Sequence, residues 1–238
     1  LRVPIRGKSV FSFGKTIHAT LQQFFDLVRQ KTGVEQIDLF SNQPLDTDKP
    51  QVSLDELLDI YENTWIDDWY ANRKDHDDYK QKGKKALTEF YKEIEKDIPV
   101  PKFLERPFNL KLETDGQEFS IRGVIDRIDK LDDGIEIIDY KTGQGRTQKT
   151  FKTEDKEQLL IYQLAAEQVL GEKVNNLTFY YVEAGNKVSF LGSDKDLEAM
   201  KKKIIKTIQE IRKGKFPPKP SQLCKWCDFR NICEYWAF

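Results

Sequence analysis

The sequence predicts an α/β fold in which helices flank a mixed central sheet, with a helical subdomain inserted, and three observations carry that prediction. Apolar residues recur at helical spacing over residues 14–31, 155–170 and 194–213. Alternating apolar residues run over 102–114, 118–127 and 123–141, with Gly- and Asp-bearing turns between them. The stretches follow one another as helix, strands, helix, strands, helix, the order of an α/β layer architecture.

Taken in order, residues 1–13 read as a short apolar and basic lead-in, extended or irregular. From 14 to 31, Ile17, Leu21, Phe24, Phe25 and Val28 form an apolar stripe, and His18 lies beside it on the first turns. Residues 32–50, rich in Asp, Asn and Pro, read as loop. Ser53-Leu-Asp-Glu56 is a capping-box signature that starts a helix expected to reach about Tyr70. A second helix is expected from near His76 to Lys96, stopped by Pro99 and Pro101. Trp65 and Trp69, at i,i+4, are expected to pack between helices. Their neighbours Asp67 and Asp68 argue against base stacking there. His76, within Asp75-His-Asp-Asp78, reads as exposed helix surface rather than a metal ligand.

Strands follow over 102–114 and 118–127, turned at Asp115-Gly116. Glu105, near the head of the first, suits an edge strand. The stretch GVIDRIDKLDDGIEIIDYK, residues 123–141, reads as a hairpin closed by Lys130-Leu-Asp-Asp-Gly134. Side chains two apart on a strand share a face. Asp139 and Lys141 therefore project together at a strand end, where Asp126 can lie opposite them. Two carboxylates and an ammonium so placed can hold a hard divalent cation and a water beside a phosphate. The same charges also suit a solvated hairpin face. Asp129, three residues beyond Asp126, falls on the other face.

Residues 142–150, TGQGRTQKT, lack the Gly that a phosphate-binding P-loop needs directly before Lys-Thr, because Gln148 stands there. Gly143 and Gly145 instead suit a basic loop in which Arg146, Lys149 and Lys152 approach a nucleic-acid strand. The helix over 155–170 sets Gln158 and Tyr162 on one face. Strands over 176–183 and 187–191, an amphipathic helix over 194–213 and a stiff Phe216-Pro-Pro-Lys-Pro220 connector complete the chain.

At 238 residues the chain reads as one domain, 1–238, with the helical insert over 50–98 and a cysteine-bearing tail over 214–238. Charged residues make up 33%, and no apolar run approaches bilayer-spanning length, so a cytoplasmic protein without membrane attachment is expected. A first residue of Leu1 suggests a piece of a larger protein. The net charge of −1 hides an asymmetry. Residues 38–68 hold nine acidic groups and one basic, whereas residues 141–230 hold 18 basic and 11 acidic. A polyanion is drawn to the second region and repelled by the first. Three cysteines, two of them in a CxxC, point to a metal site or free thiols in a reducing compartment rather than to a disulfide framework.

Gly-Val-Ile-Asp126-Arg-Ile-Asp129, followed by Asp139-Tyr-Lys141-Thr-Gly, resembles the core of the PD-(D/E)XK nucleases, specifically the RecB-like exonuclease branch. That branch also carries a helical His, a Gln-x-x-x-Tyr motif and C-terminal cysteines. Here Gly14-Lys-Thr-Ile-His18, Gln158-Leu-Leu-Ile-Tyr162, and Cys224, Cys227 and Cys233 stand in that order. The resemblance implies a restriction-endonuclease-like core and a divalent-metal-dependent DNA nuclease, an exonuclease of DNA repair or recombination. It implies DNA as partner, with a helicase in the same chain or complex. It implies His18, Asp126, Asp139 and the Tyr140 backbone carbonyl as ligands of Mg²⁺ or Mn²⁺. Lys141 would stabilise charge or orient water, Gln158 and Tyr162 would border the reaction as catalytic groups, and Glu105 would take a secondary place near the site. Oxygen-dominated ligation suits either ion, and the imidazole favours Mn²⁺.

The C-x₂-C-x₅-C spacing is that of iron–sulfur members of the branch, which take a fourth thiolate from far upstream. No Cys precedes Cys224, so a [4Fe-4S] cluster is expected only in a longer parent protein. In the alternative, Trp226, Phe229, Ile232 and Trp236 pack the tail onto the domain. Two competing functions remain: a catalytically inactive DNA-binding or scaffold domain of a helicase–nuclease, and a zinc-ribbon-like module. The complete metal and lysine set argues against the first, and the single CxxC against the second.

Overall fold

The computed structural model of the protein describes residues 7–32, 52–114 and 116–236. Helix α1 spans Ser9–Lys31. It begins within the expected lead-in because Phe13 extends the apolar stripe back by one turn and is buried with Ile17 and Leu21. The expected 32–50 loop lies, beyond Thr32, outside the described residues, as does Asp115 of the first hairpin turn. Helix α2, Leu54–Thr64, opens on the Ser53–Glu56 capping box. It stops at Thr64, short of Tyr70, where Trp65 leaves helical geometry with ψ 127°. Helix α3, Arg73–Ile94, is capped by the Asn72 side chain, which accepts from the Asp75 amide.

The early end of α2 corrects two expectations. Trp65 and Trp69 are not a helical i,i+4 pair. Trp65 stacks on Tyr70, with centroids 5.3 Å apart and rings 9° from parallel, and Trp69 is exposed. His76 is buried rather than surface. The 65–72 segment folds over the first turns of α3, so Trp65 and Tyr70 meet the imidazole edge-on. Asp67 Oδ1 and Asp77 Oδ1 lie 2.7 Å from its two ring nitrogens.

A five-stranded sheet follows in the order β1-β2-β3-β4-β5. Its strands are β1 Phe103–Thr114, β2 Gln117–Leu131, β3 Gly134–Lys141, β4 Val174–Tyr181 and β5 Asn186–Phe190. The first three form an antiparallel meander, β4 runs parallel to β3, and β5 returns antiparallel, so the sheet is mixed. A parallel neighbour needs a crossover, and here it is α4, Thr153–Ala165, continued by a π-helical turn over Ala166–Leu170. Helix α5, Asp194–Arg212, carries the Ser193 cap.

Two apolar cores sandwich the sheet. On one face Ile135, Ile137, Leu177 and Phe179 pack against Leu159 and Leu164 of α4 and Leu197 and Met200 of α5. On the other, Ile138, Tyr140, Tyr180 and Val182 pack against α1, α2 and α3 through Ile17, Phe25, Leu57 and Phe90. The α/β expectation with helices on both faces is borne out. Within the 50–98 span, α2 and α3 share the second core with α1 and the sheet.

The tail from Gly214 carries a short 3₁₀ turn over Gln222–Trp226. Trp226 is 71% exposed, and Phe229, Ile232 and Trp236 are exposed too, so the packed-tail alternative fails. Burial would stabilise such rings by about 25 cal/mol per Å² of apolar surface, and here they forgo most of it. Among the described residues no helix is long and apolar enough to cross a membrane.

Candidate active site

The site forms where β2 and β3 end, between α1 and α4. The registered pair Arg127↔Ile138 places Asp126 opposite Asp139 one step further along. Asp126 Oδ2 accepts the Tyr140 backbone amide at 2.9 Å, which ties the two strand ends together. Helix α1 meets this corner at Gly14. A methyl there would stand 3.3 Å from Thr142 Oγ1, just past β3. One turn on, His18 Nδ1 lies 3.3 Å from Asp126 Oδ2, and its ring meets Tyr140 edge-on.

Glu105 completes this corner. Its backbone adopts φ 43°, an uncommon conformation for a non-glycine residue, in a β1 segment paired with β2 on either side, at Leu104↔Arg127 and Arg106↔Ile125. Side-chain donor atoms of His18, Glu105 and Asp126 lie within 4.8 Å of one another, a grouping that can hold a metal ion. Burial raises the Glu105 carboxyl above its ordinary value, the Asp126 carboxylate adds to the rise, and His18 opposes it. Nothing in its local sequence pattern marks Glu105 above other strand glutamates. Its place depends on strand pairing and the turned backbone.

Asp139 and Lys141 share a face, but the structure directs Asp139 toward α4. Asp139 Oδ1 accepts from Gln158 Nε2 at 2.7 Å. Lys141 Nζ donates to Gln158 Oε1 at 2.7 Å and stands 2.6 Å from Asp139 Oδ2 as an ion pair. That buried oxygen has the Lys141 ammonium as its partner, so a cation bound there would share it with Lys141. Gln158 Nε2 also donates to the Tyr162 hydroxyl at 2.9 Å. The i,i+4 spacing thus serves a contact within α4 as well as the site. Burial pushes the Asp139 carboxyl up to about 6, with Asp126 reinforcing the rise and Lys141 and His18 opposing it. Burial also raises the Tyr162 phenol.

Carboxylates crowded in this way favour a cation, and the His18, Glu105 and Asp126 donors, with Asp139 opposite Asp126, fit a divalent ion.

Arg127 had no functional signal in the sequence. It is buried, bonds Asp129 through Nε at 2.7 Å and Nη2 at 2.5 Å, and donates to the Tyr140 hydroxyl at 3.1 Å. Phe25 of α1 lies under its guanidinium, 4.1 Å from ring centroid to Cζ. Asp129 thus turns away from the site, as the strand periodicity requires. In the basic loop, Arg146 is paired with Asp155, whose carboxylate also accepts the Lys152 amide at 2.9 Å. Lys149 and Lys152 are exposed. Cys224, Cys227 and Cys233 are free thiols in the exposed tail, remote in sequence from the other site residues.

The family profile of the PD-(D/E)XK nuclease superfamily matches residues 3–234. An ATP-dependent helicase/nuclease subunit from Clostridium botulinum (strain Alaska E43 / Type E3) is 34% identical over 103 residues. That alignment takes in 41% of this chain and only 8% of the relative. The crystal structure of SSO0001 aligns with 95% of this chain and 86% of that chain, at 13% identity and a TM-score of 0.43.

Proposed function

Because the chain belongs to the PD-(D/E)XK nuclease superfamily, we propose that it is a divalent-metal-dependent DNA nuclease of the RecB-like branch. It works as an exonuclease in DNA repair or recombination, beside a helicase in the same chain or complex. The similarity to a helicase/nuclease protein supports that pairing. The observation that carries the reading is the meeting of the His18, Glu105 and Asp126 group with the Asp139, Lys141 and Gln158 lattice at one strand end.

His18, Glu105 and Asp126 would hold Mg²⁺ or Mn²⁺, with Asp139 Oδ2 and the Tyr140 carbonyl as further donors. Such an ion supplies Lewis acidity, lowering the pKa of water and offsetting phosphate charge. The chain's own groups do the rest. Lys141, held between Gln158 Oε1 and Asp139, presents its ammonium where negative charge grows on the reacting phosphate. Its partners fix it before substrate arrives, so little reorganisation is left for the reaction. The Tyr162 hydroxyl accepts from Gln158, which leaves its own proton for another acceptor such as a phosphate oxygen. Lys149 and Lys152 extend a basic approach for the DNA backbone.

Cleavage of labelled DNA with Mg²⁺ or Mn²⁺ tests the proposal. Asp139→Ala and Lys141→Ala are each expected to slow it by about 10²–10³-fold, the scale of a lost electrostatic stabiliser. Near wild-type rates in either folded variant would remove the site from the chemistry. A wild-type chain that binds DNA and never cuts it would point to an inactive scaffold.

A further inference from the structure

We propose that Trp69 and Lys15 form a nucleobase-stacking subsite at the end of the α1 cleft, seating a base of a single-stranded DNA end. The proposal rests on the nuclease reading and names the form of DNA that site receives. An open cleft of about 370 Å³ runs along α1, lined by Gly14, Lys15, His18, Ala19, Gln22 and Glu105. Lys15, His18 and Gln22 share one helix face by their i,i+3 and i,i+7 spacing. Lys15 therefore joins the metal-holding corner to whatever lies beyond it, and its Nζ stands 5.3 Å from the centroid of the Trp69 ring.

Trp69 is held out rather than tucked in. It is 48% exposed, with backbone φ 71°, and among the described residues the other non-glycine with positive φ is Glu105, which lines the cleft. For a bulky residue this conformation is costly and persists only where its surroundings impose it. They do so through α1. The Trp69 carbonyl accepts from Ser9 Oγ at 3.3 Å, and the Asp68 carbonyl from Ser12 Oγ at 2.6 Å. One face of the indole lies against Gly7, where a methyl would fall 1.7–2.1 Å from three ring atoms.

An indole backed by Gly7 and lying under the ammonium of a lysine that forms no ion pair among the described residues suits a base that stacks as the flexible lysine swings to its phosphate. A duplex end exposes one face of a base still held in its pair. A single strand can turn a base freely onto the indole, so the subsite favours single strands. Asp67, Asp68 and Asp75 all lie near Trp69, and their hydrogen bonds hold Asp67 and Asp75 in the charged form. The subsite therefore recognises the base through the indole while its phosphate falls to Lys15.

Two measurements test the subsite. In steady-state cleavage of a single-stranded oligonucleotide with Mn²⁺, Trp69→Leu should raise KM about ten- to hundredfold, the scale of one lost base–aromatic stack. Trp69→Phe, which keeps a π face, should restore KM to within about threefold of wild type, a rescue that a purely packing role would not require. Independently of cleavage, an oligonucleotide carrying a terminal 2-aminopurine should lose fluorescence on binding metal-free wild-type protein, and Trp69→Phe should retain most of that quenching. Unchanged KM in Trp69→Leu, or equal rescue by Leu and Phe, overturns the subsite while leaving the nuclease intact. Absence of cleavage by wild type overturns the nuclease reading, and the 2-aminopurine titration then decides the subsite alone. No quenching in that titration overturns it.

Discussion

Replacing Asp139 by Asn should stabilise the metal-free protein, although it removes a group central to the proposed site. Asp139 is 1% exposed, and its carboxyl sits at about 6 against an ordinary value of 3.8. The folded state therefore holds this proton more tightly than the unfolded chain, so the carboxylate's unfavourable contribution grows as pH rises from about 4 to 6 and is complete above 6. A shift of about two units corresponds to about 3 kcal/mol at pH 8, and to about half of that at pH 5. That figure already includes the attraction of Lys141, but with the Asn oxygen accepting from Gln158 its NH₂ group faces the Lys141 ammonium, donor against donor, which costs about 1 kcal/mol.

The expected net gain is about 2 kcal/mol at pH 8 and less than about 1 kcal/mol at pH 5. For a chain of this size the pH 8 gain is about 4–8 °C in Tm. Urea unfolding of both proteins in EDTA at pH 5, 6 and 8 measures it. Saturating Mn²⁺ should then narrow or reverse the gap, because the ion binds the wild-type carboxylate and stabilises that fold by mass action. An Asn variant less stable than wild type at pH 8 in EDTA, or a gap that does not shrink toward pH 5, would refute the argument from burial.

Glu105→Gln should weaken Mn²⁺ binding by at least about tenfold, since even supporting residues of metal sites cost that much; calorimetric titration giving an unchanged Kd would take Glu105 out of the ligand set. Arg127→Ala should cost about 3–5 kcal/mol, because it strands Asp129 and the Tyr140 hydroxyl inside the protein. A loss under about 1 kcal/mol in urea unfolding would show the network to be dispensable. The double reversal Lys149→Glu and Lys152→Glu leaves the Arg146–Asp155 pair in place. It should weaken DNA binding and flatten the salt dependence of Kd, and an unchanged affinity in fluorescence anisotropy would move the DNA path elsewhere.

What the sequence by itself determined was whatever periodicity and local chemistry can express. The period-two pattern of 123–141 set Asp139 and Lys141 on one side of β3 and sent Asp129 away from it. The capping box at Ser53 and the i,i+4 spacing of Gln158 and Tyr162 are likewise local, and each appears as a contact within one element. Tertiary structure decided the properties that depend on residues distant in the chain. Glu105 joins His18 and Asp126 only because β1 pairs with β2 while its backbone turns to φ 43° and α1 crosses above. Asp139 turns toward Gln158, and its pKa rises, because α4 packs over that end of β3. His76 is buried and Trp69 exposed because α2 ends at Thr64, where packing of 65–72 onto α1 and α3 outweighs the helical continuation its sequence permits. Spacing along a chain encodes which side chains share a face, whereas burial and charge neighbours belong to the way those faces meet.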